Sequence, residues 1–257
     1  MDPGVRSPLV DLFRRGEADR DVRMLAAQGA VAVRAAEQLA LLVLLVDDPD
    51  QEVRAAAEGT IARLPRESLA AFLARPEAGG ALRDFFAGRG VEPAVVPSGT
   101  PDEPLIESHD TPPSGDVAQI PAAQRLSRMR VGDRIKTALK GSREERAILI
   151  RDVNKAVSTA VLSSPKLSEG EVEVFARMSG VSDDVLRAIA GSQTWLRNYG
   201  VVSGLARNPK TPVAISLGLV PRLLERDLRI LVTDRNVSDT LRQVAKKTLL
   251  AGQARRH

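Results

Sequence analysis

Apolar residues along this chain follow a helical spacing in one short segment after another. In residues 48–64, Val53, Ala56, Ala57 and Ile61 fall on one face of a helix. Asp50 stands where an N-cap is expected, and Glu52 places a carboxylate in the first turn, where the helix dipole favours it. The phrase is echoed 31 positions upstream: "DRDVRMLAA" from Asp19 aligns with "DQEVRAAAE" from Asp50, with Asp, an acid, Val and Arg in register. Two further helical phrases follow, "PRESLAAFLARP" and "ALRDFFAGRG". The longest apolar run, "LALLVLLV" at 39–46, is far short of the ~20 residues a membrane span needs and is read as a buried helix.

The last half of the chain repeats this pattern with clearer punctuation. Val131, Ile135 and Leu139 share one face of a helix that stops at Gly141. The segment "SREERAILIRDVNKAVSTAVLSS" opens with Ser142 and Glu145, the reciprocal pair of a capping box, and Ser168 with Glu171 repeats that pair. Ser182 caps a helix with two acids in its first turn. Thr211 is read as the cap of "PVAISLGL", with Pro212 at the first helical position, and Asn208 as a left-handed stop for the helix before it. Ser238 starts the last helix, which is expected to end near Lys246 and Lys247.

Between these halves the pattern lapses. Residues 92–123 hold seven prolines, six acids and no Lys or Arg. Proline removes a backbone donor and disfavours helix in the residue before it, so this stretch predicts a disordered Pro-rich acidic linker. Its apolar cluster "PLIE" stands alone within it. The predicted organisation is therefore a helical module at 1–91, a linker at 92–123, a basic helical module at 124–251 and a flexible basic tail at 252–257. Charge agrees with two modules: residues 1–124 hold 12 Lys+Arg and 20 Asp+Glu, and residues 125–257 hold 25 and 13. Only 3% of residues are aromatic, which suits helix-on-helix packing better than a β-sandwich. The expected fold class is all-α, with two α-solenoid modules.

The residues Asp48, Pro49, Asp50, Val53, Arg54, Ala56 and Ala57 resemble the start of the second helix in a HEAT repeat. Asn208, Pro209, Thr211 and Pro212 resemble the turn of leucine-rich-repeat-variant helical solenoids, with a partial copy at Ser164 and Pro165, 44 positions earlier. Both resemblances imply an α-helical repeat protein of roughly HEAT or armadillo period and nothing catalytic.

Candidate chemistry is sparse. Cysteine is absent, which excludes disulfides, thiolate metal sites and Cys nucleophiles. The two histidines, His109 and His257, fall in the linker and at the terminus, so no metal or cofactor is expected. The paired acids Glu144–Glu145 and Asp183–Asp184 are explained as helix-start charges. The strongest signal is basic: Arg125, Arg128, Arg130, Arg134, Lys136, Lys140, Arg143, Arg146 and Arg151 fall within 27 residues, opposed only by Asp133, Glu144 and Glu145. Trp195 and Tyr199, the lone Trp and lone Tyr, stand four apart, where one helix would align them, with Arg197 between. The candidate partner-binding residues are thus Arg128, Arg130, Lys136, Lys140, Arg143, Arg151, Trp195, Arg197, Tyr199 and Lys210. Together these readings point to a cytoplasmic, non-enzymatic scaffold or adaptor that binds another protein and neither membrane nor metal. The alternative is a nucleic-acid-binding solenoid that tracks phosphates with its basic module. Solenoids of the HEAT kind that excise bases add a distant enzymatic version, for which no positioned acid stands out.

Overall fold

The fold is described by a computed structural model for residues 3–32, 34–95, 104–105 and 121–254, with side chains to 251. Among the described residues every regular element is helical, and the chain divides into two compact units, Met1–Lys166 and Leu167–His257. The first holds α1 (Pro8–Arg14), α2 (Arg20–Ala27), α3 (Ala35–Leu45), α4 (Gln51–Ala62), α5 (Arg66–Leu73), α6 (Gly79–Ala87), α7 (Ala122–Ser127), α8 (Val131–Lys140), α9 (Arg143–Leu149) and α10 (Lys155–Leu162). The second holds α11 (Glu169–Arg177), α12 (Asp183–Gly191), α13 (Tyr199–Arg207), α14 (Val213–Leu219), α15 (Glu225–Thr233) and α16 (Asp239–Ala254), with one-turn 3₁₀ segments at Trp195–Arg197 and Val220–Arg222.

In the first unit α3 is the hub. Leu39, Ala40, Leu41, Leu42, Val43 and Leu45 are all buried, so the apolar run meets protein on every side. Among the described residues no helix is long and apolar enough to cross a membrane. The small helix α1 packs on both α3 and α10, and buries Leu9, Val10 and Leu12 completely. Each such side chain contributes about 1.5–3 kcal/mol. Gly132 brings α8 onto α2: a Cβ there would stand 2.6 Å from Leu25 Cδ1. Helices from residues 121–162 therefore share a core with those from residues 8–45, and the compact units divide at Lys166 rather than at the proline-rich segment. The expected boundaries 1–91, 92–123 and 124–251 do not coincide with this division. Most of residues 92–123 lie outside the described residues. Its ends do not: Ala94 N–H donates to Ala70 O at 2.9 Å, and α7 starts at Ala122.

Helices so short leave a large share of their backbone groups without intrahelical partners. Side chains at the corners supply those partners. Ser142 with Glu145 and Ser168 with Glu171 form the two expected capping boxes, and Asp50 and Ser182 cap α4 and α12. The segment opening at Ser142 is two helices, because Asn154 accepts from Ala156 N and Val157 N and starts α10 anew.

Asn208 is the most heavily used corner residue. Its Nδ2 donates to Ala176 O at 2.9 Å and to Met178 O at 3.0 Å at the end of α11, and its Oδ1 accepts from Lys210 N–H at 3.0 Å. Its backbone is extended (φ −77°, ψ 120°), not left-handed: the turn is made by the side chain. Thr211 is not the cap of α14 either. Pro212 occupies that position, and Thr211 is 4% exposed with no hydrogen-bond partner for its Oγ1. α16 runs on to Ala254, which places Lys246 and Lys247 in its middle and makes residues 252–254 helix rather than tail.

One acid in this core works against folding. Glu37 of α3 is 5% exposed; the Ser7 hydroxyl hydrogen-bonds to it, but its Oε2 has no hydrogen-bond partner. Burial pushes its carboxyl pKa up, against the lowering effects of Ser7 and the charge of Arg34. A raised folded-state pKa means stability that is complete below the unfolded value of about 4.5 and lost as pH rises through the folded one. Glu37→Gln should therefore raise the urea midpoint at neutral pH and lose that advantage below pH ~4.5. Asn208→Ala should cost about 2–4 kcal/mol, because two α11 carbonyls and one amide lose their partner. Thr211→Val should fall within about 0.5 kcal/mol of the parent or above it, since it removes an unpaired buried hydroxyl at constant shape. Urea titrations of both variants, followed by circular dichroism, check the pair.

Candidate functional site

The basic tract separates into cations that hold the fold and cations that face solvent. Arg125 of α7 pairs with Glu145 of the α9 capping box, and Arg134 Nη1 of α8 lies 2.5 Å from Asp152 Oδ2 after α9. At the far end of α8 three orphan carbonyls are taken in turn. Ser164 Oγ donates to Leu139 O at 2.8 Å, Lys166 Nζ to Lys140 O at 3.2 Å and Arg146 Nη1 to Gly141 O at 2.9 Å. Cations belong there because the C-terminal end of a helix carries partial negative charge. Arg146 is 4% exposed and also donates to Lys166 O at 3.2 Å.

Arg128, Arg130, Lys140, Arg143 and Arg151 are exposed, and none of their side chains pairs with a carboxylate among the described residues. Lys136 is half-buried and engaged in an interaction of its own. The Arg134–Asp152 ion pair places the start of α8 beside the end of α9. Arg130 and Arg151 therefore belong to one end of this helical hairpin, and Lys140 and Arg143 flank the corner at the other. A ten-residue helix separates the ends by about 15 Å.

The remaining candidates, Trp195, Arg197, Tyr199 and Lys210, are in the second unit. Lys210 is exposed beside Asn208, with its N–H held by the Asn208 side chain. Trp195 and Tyr199 do not share a helix face. Asn198, extended at ψ 117°, ends the 3₁₀ turn of Trp195 and caps α13 through Gly200 N–H at 2.8 Å. Tyr199 is occupied by the fold. Its hydroxyl donates to the buried Asp227 and accepts from Leu224 N–H at 2.9 Å, at the start of α15. Desolvation, and then the Asp227 carboxylate, push its phenol above the ordinary value. Trp195 is half-buried and Arg197 is exposed. His109 and His257 lie outside the described residues.

A second feature left no mark in the spacing of the sequence. Glu58 of α4 accepts both arms of Arg89, at 2.6 and 2.7 Å, and Arg89 stands 4.4 Å over the Phe85 ring. The pair edges a groove floored by Ile61, Leu64, Leu69 and Phe86. The ion pair lowers the pKa of Glu58 and raises that of Arg89, each through the hydrogen bonds first. The two partners are 31 positions apart, Glu58 on α4 and Arg89 in the turn that follows α6. Their polar atoms are turned on each other, and Arg66 supplies a further cation to the lining of the groove.

What the two ends of the α8–α9 hairpin present to solvent is positive charge: Arg130 and Arg151 at one, Lys140 and Arg143 at the other. No family model matches the chain, no curated protein matches it in sequence, and no solved structure matches it.

Tyr199 gives the sharpest test of structural against binding use. Tyr199→Phe should cost about 1–3 kcal/mol by leaving Asp227 and Leu224 N–H without the hydroxyl. The raised phenol pKa means that this contribution is intact below pH ~10 and lost above it as the phenol ionises. A chemical-denaturation series of both proteins at pH 7 and pH 11 reads this out. A phenylalanine variant of parental stability at pH 7 would mean the hydroxyl is free for a partner.

Proposed function

We propose that the chain is a non-enzymatic helical-repeat scaffold that binds an acidic surface of another protein through the exposed cations of the α8–α9 hairpin. The carrying observation is the division of labour among its cations. Arg125, Arg134, Arg146 and Lys166 are consumed by carboxylates and carbonyls, while Arg128, Arg130, Lys140, Arg143 and Arg151 stand in solvent without acids to answer them. A monomer gains little by keeping five unpaired cations on one short hairpin, whereas a partner of opposite charge is steered by them.

The repeat reading draws on packing two positions along the chain. α2 packs on α4, α8 on α10 and α11 on α13, as equivalent helices do when helical pairs stack. The aligned phrases at Asp19 and Asp50 are the N-caps of α2 and α4, and Arg20 Nε reaches Asp50 Oδ2 at 2.7 Å, so the two copies lie side by side. The HEAT-like and leucine-rich-repeat-variant-like phrases fit this reading, as does a cytoplasmic setting. The use of such stacks for protein binding is an analogy at the level of the fold.

Nucleic acid is the second reading, because unpaired guanidinium groups about 15 Å apart suit phosphates as well as carboxylates. Affinity capture with the full chain and with a variant carrying Gln at 128, 130, 140, 143 and 151 separates the two. Protein partners lost in the variant, with duplex DNA bound weakly by both, is the expected result. Strong DNA binding with a log–log salt slope of about −4.5, abolished in the variant, would transfer the assignment to nucleic acid, at roughly 0.9 per neutralised phosphate.

A further inference from the structure

In the interior of the proline-rich segment, between residues 96 and 120, the structure describes Pro104 and Leu105, and both are half-buried. Leu105 N–H donates to Gln38 Oε1 at 2.8 Å, across 67 positions of sequence. Gln38 lies in the first turn of α3, is 1% exposed, and uses its amide in two directions. Nε2 donates to Gly29 O at 3.1 Å, in the corner between α2 and α3 where Gly29 takes φ +81°. Oε1 is thereby aimed at the incoming chain by a group the fold itself holds still.

We propose that the start of α3 carries a docking notch for a Pro-Leu peptide, and that Pro104–Leu105 of the same chain occupies it. The chemistry of the ligand follows from the contact. Gln38 reads a backbone N–H, so the residue it reads cannot be proline. The residue before it contributes no backbone donor and gains from being proline, whose fixed φ restricts the chain before it docks. Leucine adds apolar surface to a single hydrogen bond worth about 1 kcal/mol. Two residues bind weakly in isolation; joined to the unit they face an effective concentration on the order of mM, enough to keep a weak contact closed. A partner protein presenting the same pair must displace this segment, so the notch is a site that the chain itself competes for.

The test uses the full chain and the synthetic peptide TPDEPLIESH, residues 100–109. Leu105→Pro deletes the donor without altering any helix, and so should empty the notch. Labelled peptide should bind the Leu105→Pro chain at least tenfold tighter than the parent chain, and a peptide with proline at the Leu105 position should bind neither. In the parent chain, NMR hydrogen exchange should show the Leu105 amide slowed at least tenfold from its intrinsic rate. Equal affinity for both chains, no affinity for either, or exchange of the Leu105 amide at its intrinsic rate would each overturn the proposal.

Discussion

Helices of six to twelve residues dominate this chain, and their ends are its central constraint. An α-helix leaves four N–H and four C=O groups without intrahelical partners, so a helix of eight residues has about half of its backbone hydrogen-bonding groups to satisfy from outside. Burying such ends unpaired would cost more than the packing returns. The corners meet this demand with two recurrent devices. In the first, an Asp, Asn or Ser accepts the N–H two residues on: Asp48 from Asp50, Asp152 from Asn154, Ser164 from Lys166, Asn208 from Lys210 and Asp234 from Asn236. In the second, the arginine four residues after an N-cap turns back onto the carbonyl just ahead of that cap. Arg23 reaches Ala18 O, Arg146 reaches Gly141 O and Arg242 reaches Val237 O, while Arg54 reaches Asp48 O one residue earlier.

The first device also sets how successive helices stack. Four of the five corner residues reach back to an earlier helix. Asp48 pairs with Arg23 at 2.9 Å, Asp152 with Arg134, Ser164 holds Leu139 O, and Asn208 holds Ala176 O. Each bond therefore fixes a local turn and a non-local register at once. In a core with few aromatics and little shape to specify alignment, polar atoms at the corners fix what interdigitating side chains would otherwise decide. Small residues help where helices come closest: on α13 a Cβ at Gly204 would stand 3.1 Å from Ala176 Cβ and 3.0 Å from Arg177 Cγ.

This explains what the sequence made legible and what it did not. Helix starts were readable because a cap and its target lie within three residues: Asp50, Ser142, Ser168 and Ser182 act where the pattern puts them. The backward reach was hidden because its partners lie 18 to 32 positions apart. For the same reason Asn208 read as a left-handed stop, although its side chain makes the turn from an ordinary extended backbone. The phrase "NPKTP" read as Thr211 capping a helix that Pro212 begins, whereas the helix starts one residue later and Pro212 itself takes the cap position with an extended backbone. The basic tract was visible as composition, but which cations were already engaged depended on helix ends that only the folded hairpin brings together. Trp195 and Tyr199 misled because a spacing of four aligns side chains only if no cap stands between them, and Asn198 does.

The corner geometry also decides where recognition can sit. In four of the five turns the hooking residue reaches back to an earlier helix, and in all five the residue after it is exposed: Pro49, Val153, Pro165, Pro209 and Arg235. That position is held by hydrogen bonds on either side of it yet makes no demand on its own side chain. Proline there lowers the entropy of the unfolded chain and strengthens the turn. Val153, 99% exposed, and Arg235 do neither, and an exposed valine on a fixed corner beside Arg151 has no stabilising use in the unit that bears it. Residues that the fold does not need, fixed in place by residues that it does, can be exchanged without changing the architecture. For this chain the exposed corner positions are therefore where side chains can be exchanged at least cost to the fold, and the unpaired cations of α8–α9 flank two of these corners.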